Sequence, residues 1–179
     1  GVLFVLNTCE EGLGNSNGCR YIVEQYKNRI KSFISFDGYL NQCTNSAVGS
    51  KRYRLTVHCQ GGHSYADFGK ENAIETLSKI MYELSHQQIP TEAKTTYNFG
   101  KIEGGTTINA IASTATLLYE YRSSMQNCLD IMEKQFQEIV SHYSNVEIEI
   151  LGVRPGNGLL NQEKFEKFTD HNVRLIKEY

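Results

Sequence analysis

The feature that most constrains the fold is a change of hydrophobic period between residues 51 and 151. Strands are predicted where apolar and polar side chains alternate, and helices where apolar side chains recur every three or four residues. The strand segments are 51–57, 95–101, 112–122 and 146–151, and the helix segments are about 71–84 and 125–143. Read along the chain, the order is β-α-β-β-α-β, which is the order of a ferredoxin-like split βαβ domain.

The first fifty residues carry a different pattern. Residues 2–8 and 33–36 are apolar runs that predict buried strands, and a helix is predicted between them from Asn17 to about Ile30. A strand, a helix and a strand in this order indicate a βαβ unit of a parallel sheet. We therefore predict an α/β protein with a parallel-sheet segment over 1–48, a ferredoxin-like domain over 49–153, and a return segment over 154–179 with a helix from 161 onward.

Two carboxylates follow the first apolar run, and a third follows the second. Glu10 and Glu11 come just before Gly12, and Asp37 comes just before Gly38. At the carboxyl ends of parallel strands, such groups lie on the edge of the sheet where active sites gather. The alternatives are a solvated Glu-Glu pair before a helix, where the helix dipole favours negative charge, and an ordinary Asp-Gly turn.

Four motifs in one order resemble the two-zinc metallopeptidases and amidohydrolases, the family of peptidase T, aminoacylase, carboxypeptidase G and acetylornithine deacetylase. Each motif alone is short, but their order and rough spacing match across about the first 155 residues. The residues within the motifs are most similar to those of peptidase T-like or dipeptidase-like members. The motifs are Glu10-Glu11-Gly12, Asp37, Gly61-Gly62-His63-Ser64 and Gly104-Gly105-Thr106-Thr107-Ile108-Asn109.

The resemblance implies a metal site with divided roles. Glu10 matches the general base, Glu11 a metal-binding carboxylate, and Asp37 the terminal ligand of the second metal. The cofactor it implies is zinc, two ions per subunit, with cobalt or manganese as possible substitutes. A zinc ion lowers the pKa of its bound water toward about 7, so a carboxylate that is not a ligand then accepts the proton.

The resemblance also implies three groups that handle the substrate. His63 matches a histidine that reaches the active site of the other subunit and stabilises the oxygen of the tetrahedral intermediate, and Asn109 matches a residue with a neighbouring role. Arg122 falls where several family members grip the substrate carboxylate, although Glu120 stands where the family usually has Asp. The alternatives are an exposed histidine in a glycine-rich turn and a surface pair between Arg122 and Glu120.

The organisation implied is a catalytic domain interrupted by an inserted dimerisation, or lid, domain over 49–153. The His-x-Asp ligand motif expected upstream and the last histidine ligand expected downstream do not occur in the sequence. We therefore predict an internal fragment that binds zinc weakly or not at all, and a parent enzyme that is a homodimer cleaving a small peptide or an N-acyl amino acid. The alternatives are a dimerisation or binding module and a non-catalytic scaffold.

Composition limits the classes of partner and the cellular compartment that are expected for the protein. The net charge of −2 and the scattered Lys and Arg residues leave no basic patch for nucleic acid, and no apolar stretch approaches the length of a membrane span. The five cysteines are odd in number and show no Cys-x-x-Cys spacing, which predicts reduced thiols and a cytoplasmic protein. Cys9, beside Glu10, is predicted to be a buried packing residue rather than a nucleophile.

Overall fold

Two long helices and four long strands form the central domain of the structure. The computed structural model describes residues 1–10, 12–37, 42–44, 46–156, 158–159 and 174–176. The helices are α1 (Asn17–Tyr26), α2 (Ala73–Ser85) and α3 (Gln126–Ser141), with a 3₁₀ turn at Gly12–Gly14. The strands are β1 (Gln42–Thr44), β2 (Ser46–Ala47), β3 (Gly49–His58), β4 (Gly62–His63), β5 (Thr95–Gly104), β6 (Ala110–Ile111), β7 (Thr114–Ser123), β8 (Val146–Arg154), β9 (Gly158–Leu159) and β10 (Arg174–Ile176).

The four long strands form one antiparallel sheet in the order β5-β7-β3-β8. Of these four strands, β3 comes first in the sequence and lies in the middle of the sheet, between β7 and β8. The next one in the sequence, β5, lies at an edge. With α2 after β3 and α3 after β7, this is the ferredoxin-like arrangement. The β-α-β-β-α-β prediction is confirmed.

The alternation in β3 and β7 decides which face of the sheet is buried. Tyr53, Leu55 and Val57 are buried and lie opposite Tyr119, Leu117 and Ala115 in the register of the two strands. On β3 the residues between them, Arg54 and Thr56, carry polar groups to the other face, since side chains alternate along a strand. The core-facing side chains of the helices are Leu77, Ile80 and Leu84 of α2 and Met132, Phe136 and Val140 of α3.

A polar cluster closes the core between β3, β7 and α3. The carboxylate of Glu133 lies 2.7 Å from the Lys51 ammonium and accepts hydrogen bonds from the hydroxyls of Tyr53 and Tyr121. Burial raises the pKa of this carboxyl, but hydrogen bonds from Lys51, Tyr121, Tyr53 and Gln137 outweigh burial and bring the pKa to about 2. The same arrangement raises the pKa values of both tyrosines, first through burial and then through Glu133.

The helix α2 begins two residues later than the sequence suggested, and its cap explains the difference. Asn72 has an extended backbone, and its side chain accepts a hydrogen bond from the N–H of Ile74. An Asn in this position satisfies one of the unpaired N–H groups of the first turn, so the helix starts at Ala73. None of the helices in the described ranges is long and apolar enough to cross a membrane.

The structure corrects the prediction for the first fifty residues. The helix α1 is present but ends at Tyr26, and residues 2–8 and 33–36 form no strand. Phe4 is 90% exposed and Leu6 is fully exposed. A strand needs a neighbour to complete its backbone hydrogen bonds, and in the described ranges no strand pairs with either run, so the βαβ unit is not formed.

The segments that flank the ferredoxin-like domain meet each other. Strand β2 pairs antiparallel with β9, and β1 pairs parallel with β10, so the chain enters and leaves the domain at one place. The predicted helix from 161 onward is wrong at Arg174–Ile176, which is strand β10, because these residues hydrogen-bond to β1 instead of continuing a helix. The rest of that prediction lies outside the described residues.

Candidate active-site end of the ferredoxin-like domain

A two-residue ladder brings the two predicted oxyanion donors together. In the pairing of β4 with β6, Gly62 lies opposite Ile111 and His63 lies opposite Ala110. The N–H of Ser64 then donates to the carbonyl of Asn109 at 2.9 Å. His63 and Asn109, which are far apart in the sequence, therefore occupy neighbouring positions at the same end of the sheet.

The ring of His63 is oriented by contacts with its own turn. The backbone N–H groups of Tyr65 and Ala66 both point at Nδ1, each at 3.3 Å. An imidazole nitrogen that accepts hydrogen bonds carries no proton in the neutral ring, so the proton lies on Nε2. His63 is exposed, and its Nε2–H is the hydrogen-bond donor that the ring can offer to a ligand.

Asp67 closes this turn, and sequence reasoning missed it. Its Oδ2 accepts the N–H of His63 at 2.8 Å, its own N–H donates to the carbonyl of His63 at 2.9 Å, and its Oδ1 lies 2.8 Å from the Lys70 ammonium. The Lys70 hydrogen bond, followed by that of the His63 N–H, lowers the pKa of Asp67. An Asp four residues after the histidine and three before a Lys is the signal that could have revealed it.

The same carboxylate explains why glycine precedes His63. Gly61 has φ +73°, in the left-handed region, and a Cβ on Gly62 would lie 2.8 Å from Oδ2 of Asp67. The Asp67 carboxylate occupies the space that a side chain at position 62 would need. Glycine, which has no side chain, avoids this clash. The glycines of the Gly-Gly-His motif therefore have a local steric cause.

Asn109 is oriented by a hydroxyl in its own loop. The hydroxyl of Thr107 donates to Oδ1 of Asn109 at 3.2 Å, so the donor end of the amide is Nδ2. Gly105, with φ +72°, makes the turn that follows β5, as the Gly104-Gly105 pair predicted.

Asn109 is exposed like His63, and three large apolar side chains near them in the sequence are also exposed to solvent: Tyr65 (89% exposed), Phe68 (91%) and Ile108 (fully exposed).

Arg122 lies at the opposite end of β7 and is paired with Glu120. Its Nε and Nη2 donate to the two carboxylate oxygens at 3.0 and 3.2 Å, and the Nε of Arg52 shares the same carboxylate at 3.1 Å. This is the surface pair that the sequence left open as the alternative. A strand advances about 3.3 Å per residue, so Arg122 is about 26 Å from the Thr114 end of β7, near which His63 lies.

The segment that carries Glu10 lies at the Arg122 end. The carbonyl of Glu10 accepts from Nη2 of Arg154 at 3.1 Å, and the carbonyl of Gly12 accepts from Nη1 of Arg52 at 2.6 Å. The structure therefore brings Glu10 to the end of the domain that holds Arg122, and His63 and Asn109 to the other end. Glu11 lies outside the described residues.

No metal site is assembled in the part of the chain that the structure describes. Over those residues, no group of three or more His, Cys, Asp or Glu side chains is placed to hold a metal ion. Glu11 and Asp37 would offer oxygen donors that zinc accepts, but a zinc site takes four ligands. The carboxylates have the right chemistry and are too few, so we assign no catalytic step to a metal.

The cysteines correct one further expectation. Cys9, Cys19, Cys59 and Cys128 are free thiols, and Cys128 is buried. Cys9 is exposed rather than buried, because no strand of the described residues covers the apolar run before it. The side chain of Cys43 lies outside the described residues.

Comparisons with known proteins agree with this architecture. Residues 45–146 match the family described as "Peptidase dimerisation domain". Among solved structures, an aminobenzoyl-glutamate utilization protein from Klebsiella pneumoniae is similar with a TM-score of 0.60 at 14% identity, over 74% of this chain and 37% of that one. No curated protein sequence matches the chain.

Two further structures have the same fold. One is described as an aminohydrolase from methicillin-resistant Staphylococcus aureus, with a TM-score of 0.56, 15% identity, and coverage of 74% of this chain and 38% of that one. The other is an amidase of the hydantoinase/carbamoylase family from Burkholderia vietnamiensis, with a TM-score of 0.51, 14% identity, and coverage of 63% and 29%. The chain thus spans between 29% and 38% of the length of these three proteins.

Proposed function

The chain belongs to the peptidase dimerisation domain family of the M20 peptidases and amidohydrolases, and from this premise we propose that it forms part of a dimeric hydrolase that cleaves the amide bond of a small peptide or an N-acyl amino acid. The resemblance stated on the sequence is confirmed at the level of the family. The reaction, the substrate and the roles of individual residues are our proposal.

The observation that carries the proposal is the ladder between β4 and β6. It brings the backbone of His63 and the backbone of Asn109 to neighbouring positions at one exposed end of the domain, where the Nε2–H of the histidine and the side-chain amide of the asparagine are the two donors. Two neighbouring donors of this kind suit the oxygen that becomes negative when an amide carbon is attacked. Removing one such donor costs about 2.7–4 kcal/mol of transition-state stabilisation in a measured case.

The distance between the two ends supports a shared active site. From Arg52, which contacts Gly12, to His58 the strand β3 advances about 20 Å, and His63 lies beyond His58. The histidine and Glu10 of one chain therefore cannot act on one carbonyl group. In a symmetric dimer, the histidine of one subunit would serve the glutamates of the other, and the exposed Tyr65, Phe68 and Ile108 would enter the partner's cleft.

The remaining roles follow the resemblance. Glu10 would take the proton of the attacking water and pass it to the leaving amine, and Arg122 would bind the substrate carboxylate in a bidentate pair. Arg122 is paired with Glu120 in the structure, so binding a substrate carboxylate would require the guanidinium to exchange this partner. Glu11 and Asp37 would supply part of the zinc site, completed by ligands from outside the described residues.

We also propose that the whole protein that carries this chain is cytoplasmic. The test of the function is an activity assay of that whole protein. Zinc, cobalt and manganese forms are offered dipeptides, tripeptides and N-acetyl amino acids, with C-terminally amidated peptides as the control for the role of Arg122. We expect hydrolysis of the amide bond in the substrates that carry a free carboxylate, and weak activity on the amidated peptides. No hydrolysis with any metal would contradict the proposal.

Matched variants separate the two glutamates. Glu10→Gln is expected to keep the metal content and to lower kcat far more than KM, because only proton transfer is lost. Glu11→Ala is expected to lower the metal content, because a metal-binding oxygen is removed. If both variants lose metal equally, the assignment of base and ligand is wrong.

A second candidate function is a dimerisation module without catalysis. The family match covers the dimerisation domain alone, and the described residues assemble no metal site of three donors. The same assay decides between the two. A dimer that binds no metal and hydrolyses none of the amides, in the whole protein as well as in this chain, supports the scaffold.

A further inference from the structure

We propose that Asp67 is a positioning residue for His63: it fixes the turn that selects the Nε2–H form of the imidazole and aims it out of the domain. The inference rests on the function proposed for His63, and it adds a residue to which neither the family motifs nor the comparisons give a role. Asp67 itself does not contact the substrate.

The first step is the closure of the turn. Asp67 binds both main-chain groups of His63, accepting its N–H at Oδ2 (2.8 Å) and donating to its carbonyl (2.9 Å). The Lys70 ammonium, 2.8 Å from Oδ1, holds the carboxylate from the other side. With Gly62 leaving the space that Oδ2 occupies, the backbone of His63 is fixed at both its N–H and its carbonyl.

The second step links the closed turn to the ring. Tyr65 and Ala66 lie between His63 and Asp67, and closure turns their N–H groups toward Nδ1 at 3.3 Å each. In an open loop these two N–H groups would be hydrated, and the neutral ring would exchange between its two tautomers. The side chain of His63 is exposed, and its tautomer depends on these backbone contacts.

The first arm of the test uses this chain and does not depend on catalysis. Long-range ¹H–¹⁵N correlation spectra at pH 8 report which ring nitrogen of His63 carries the proton. We expect the Nε2–H tautomer in the wild type, a mixture in Asp67→Ala, and a return to Nε2–H in Asp67→Asn, whose amide oxygen still accepts the N–H of His63. Asp130→Ala, an exposed Asp on α3, is the matched control and should leave His63 unchanged.

The second arm uses the whole protein. Asp67→Ala is expected to lower kcat by about 10- to 100-fold with little change in KM or metal content, the loss typical of a misplaced catalytic group. Asp67→Asn should recover most of it. Backbone amide spectra outside residues 60–72 that match the wild type show that each variant is folded.

Three outcomes are decisive. An unchanged Nε2–H tautomer in Asp67→Ala, or a mixed tautomer that Asp67→Asn does not restore, overturns the proposal. An unchanged kcat in Asp67→Ala overturns it as well, provided that His63→Ala lowers kcat. If His63→Ala has a normal kcat, the function proposed for His63 fails instead, and the spectra alone decide whether Asp67 positions the ring.

Discussion

At the scale of single residues, Glu133 is the polar group on which the core depends most. It is the common acceptor for Lys51, Tyr53 and Tyr121, so Glu133→Ala removes the ion-pair partner of Lys51 and leaves the two tyrosine hydroxyls to pair with each other, at 3.5 Å. We expect a loss of about 2 kcal/mol in the free energy of unfolding, the cost typical of unsatisfied buried polar groups. Urea denaturation at pH 7 measures it, with the exposed Glu138→Ala of the same helix as the control, expected within about 0.5 kcal/mol of the wild type.

The pH dependence of this cluster has a definite sign. Folding lowers the pKa of Glu133 from 4.5 to about 2, so its contribution is complete above pH 4.5 and is lost as the pH falls toward 2. Wild type and Glu133→Gln should therefore differ in stability at pH 7, and the difference should shrink from pH 4.5 downward until the two converge at about pH 2. A difference that stays constant from pH 7 to pH 2 would contradict the charged state that we assign to Glu133.

The sequence was informative about some of these residues and silent about others. His63 and Asn109 were identified through their motifs, but their contact depends on a ladder of two residues per strand, which is too short to leave a periodic signal. Glu133 acts through a contact between β3, β7 and α3, which no spacing in a single segment reveals, and its partners could be named only once the fold was known. Asp67 acts within one turn, and its spacing from His63 and Lys70 is the one local signal of that role.

At the scale of elements, the long periodic segments were predictable and the short apolar runs were not. The strands and helices of the ferredoxin-like domain lie within a few residues of their predicted bounds, because each repeats its pattern over at least five residues. The runs at 2–8 and 33–36 predicted strands on apolar character alone. Such a run forms a strand only beside another strand, and that condition cannot be read from the run itself.

The two edges of the sheet differ in what covers them. Near its end, β8 is covered by residues around the start of α1: Arg20 donates to the carbonyl of Val153, and the side chain of Asn15 lies against Gly152. At the other edge, Thr96 and Asn98 of β5 are exposed. Unpaired edge strands join sheets of separate molecules, so we expect two copies to pair along β5.

Charges at the β5 edge test this expectation. The double variant Thr96→Lys and Asn98→Lys places like charges opposite each other in a symmetric pair, and should weaken dimerisation by about tenfold or more in sedimentation experiments. Glu147→Lys on β8 is the matched control and should leave dimerisation unchanged. A dimer that resists the β5 variant and responds to the β8 variant would place the interface at the other edge, and a monomer at high concentration would exclude pairing altogether.

At the scale of the whole molecule, the paired flanks and the two separated ends support one arrangement. The chain enters and leaves the ferredoxin-like domain through β2 and β9, as expected for an inserted domain. Glu10 lies at the Arg52 end and His63 at the far end of β3, about 20 Å along the strand. An active site that uses both residues is therefore expected to draw them from two subunits.

Mixed dimers give that expectation a numerical test. Subunits of the whole protein carrying Glu10→Gln are mixed in equal amounts with subunits carrying His63→Ala and allowed to exchange. If His63 acts across the dimer, each hybrid has one site with an intact base and an intact histidine and one site with neither. Random exchange makes half of the dimers hybrids, and one of the two equivalent sites in each hybrid is intact. Activity should therefore rise from near zero to about a quarter of the wild-type value. If His63 acts within its own subunit, every site in the hybrid keeps one defect and no activity returns. Metal content and dimer fraction, measured on the same samples, exclude loss of metal or failed exchange as the cause of a negative result.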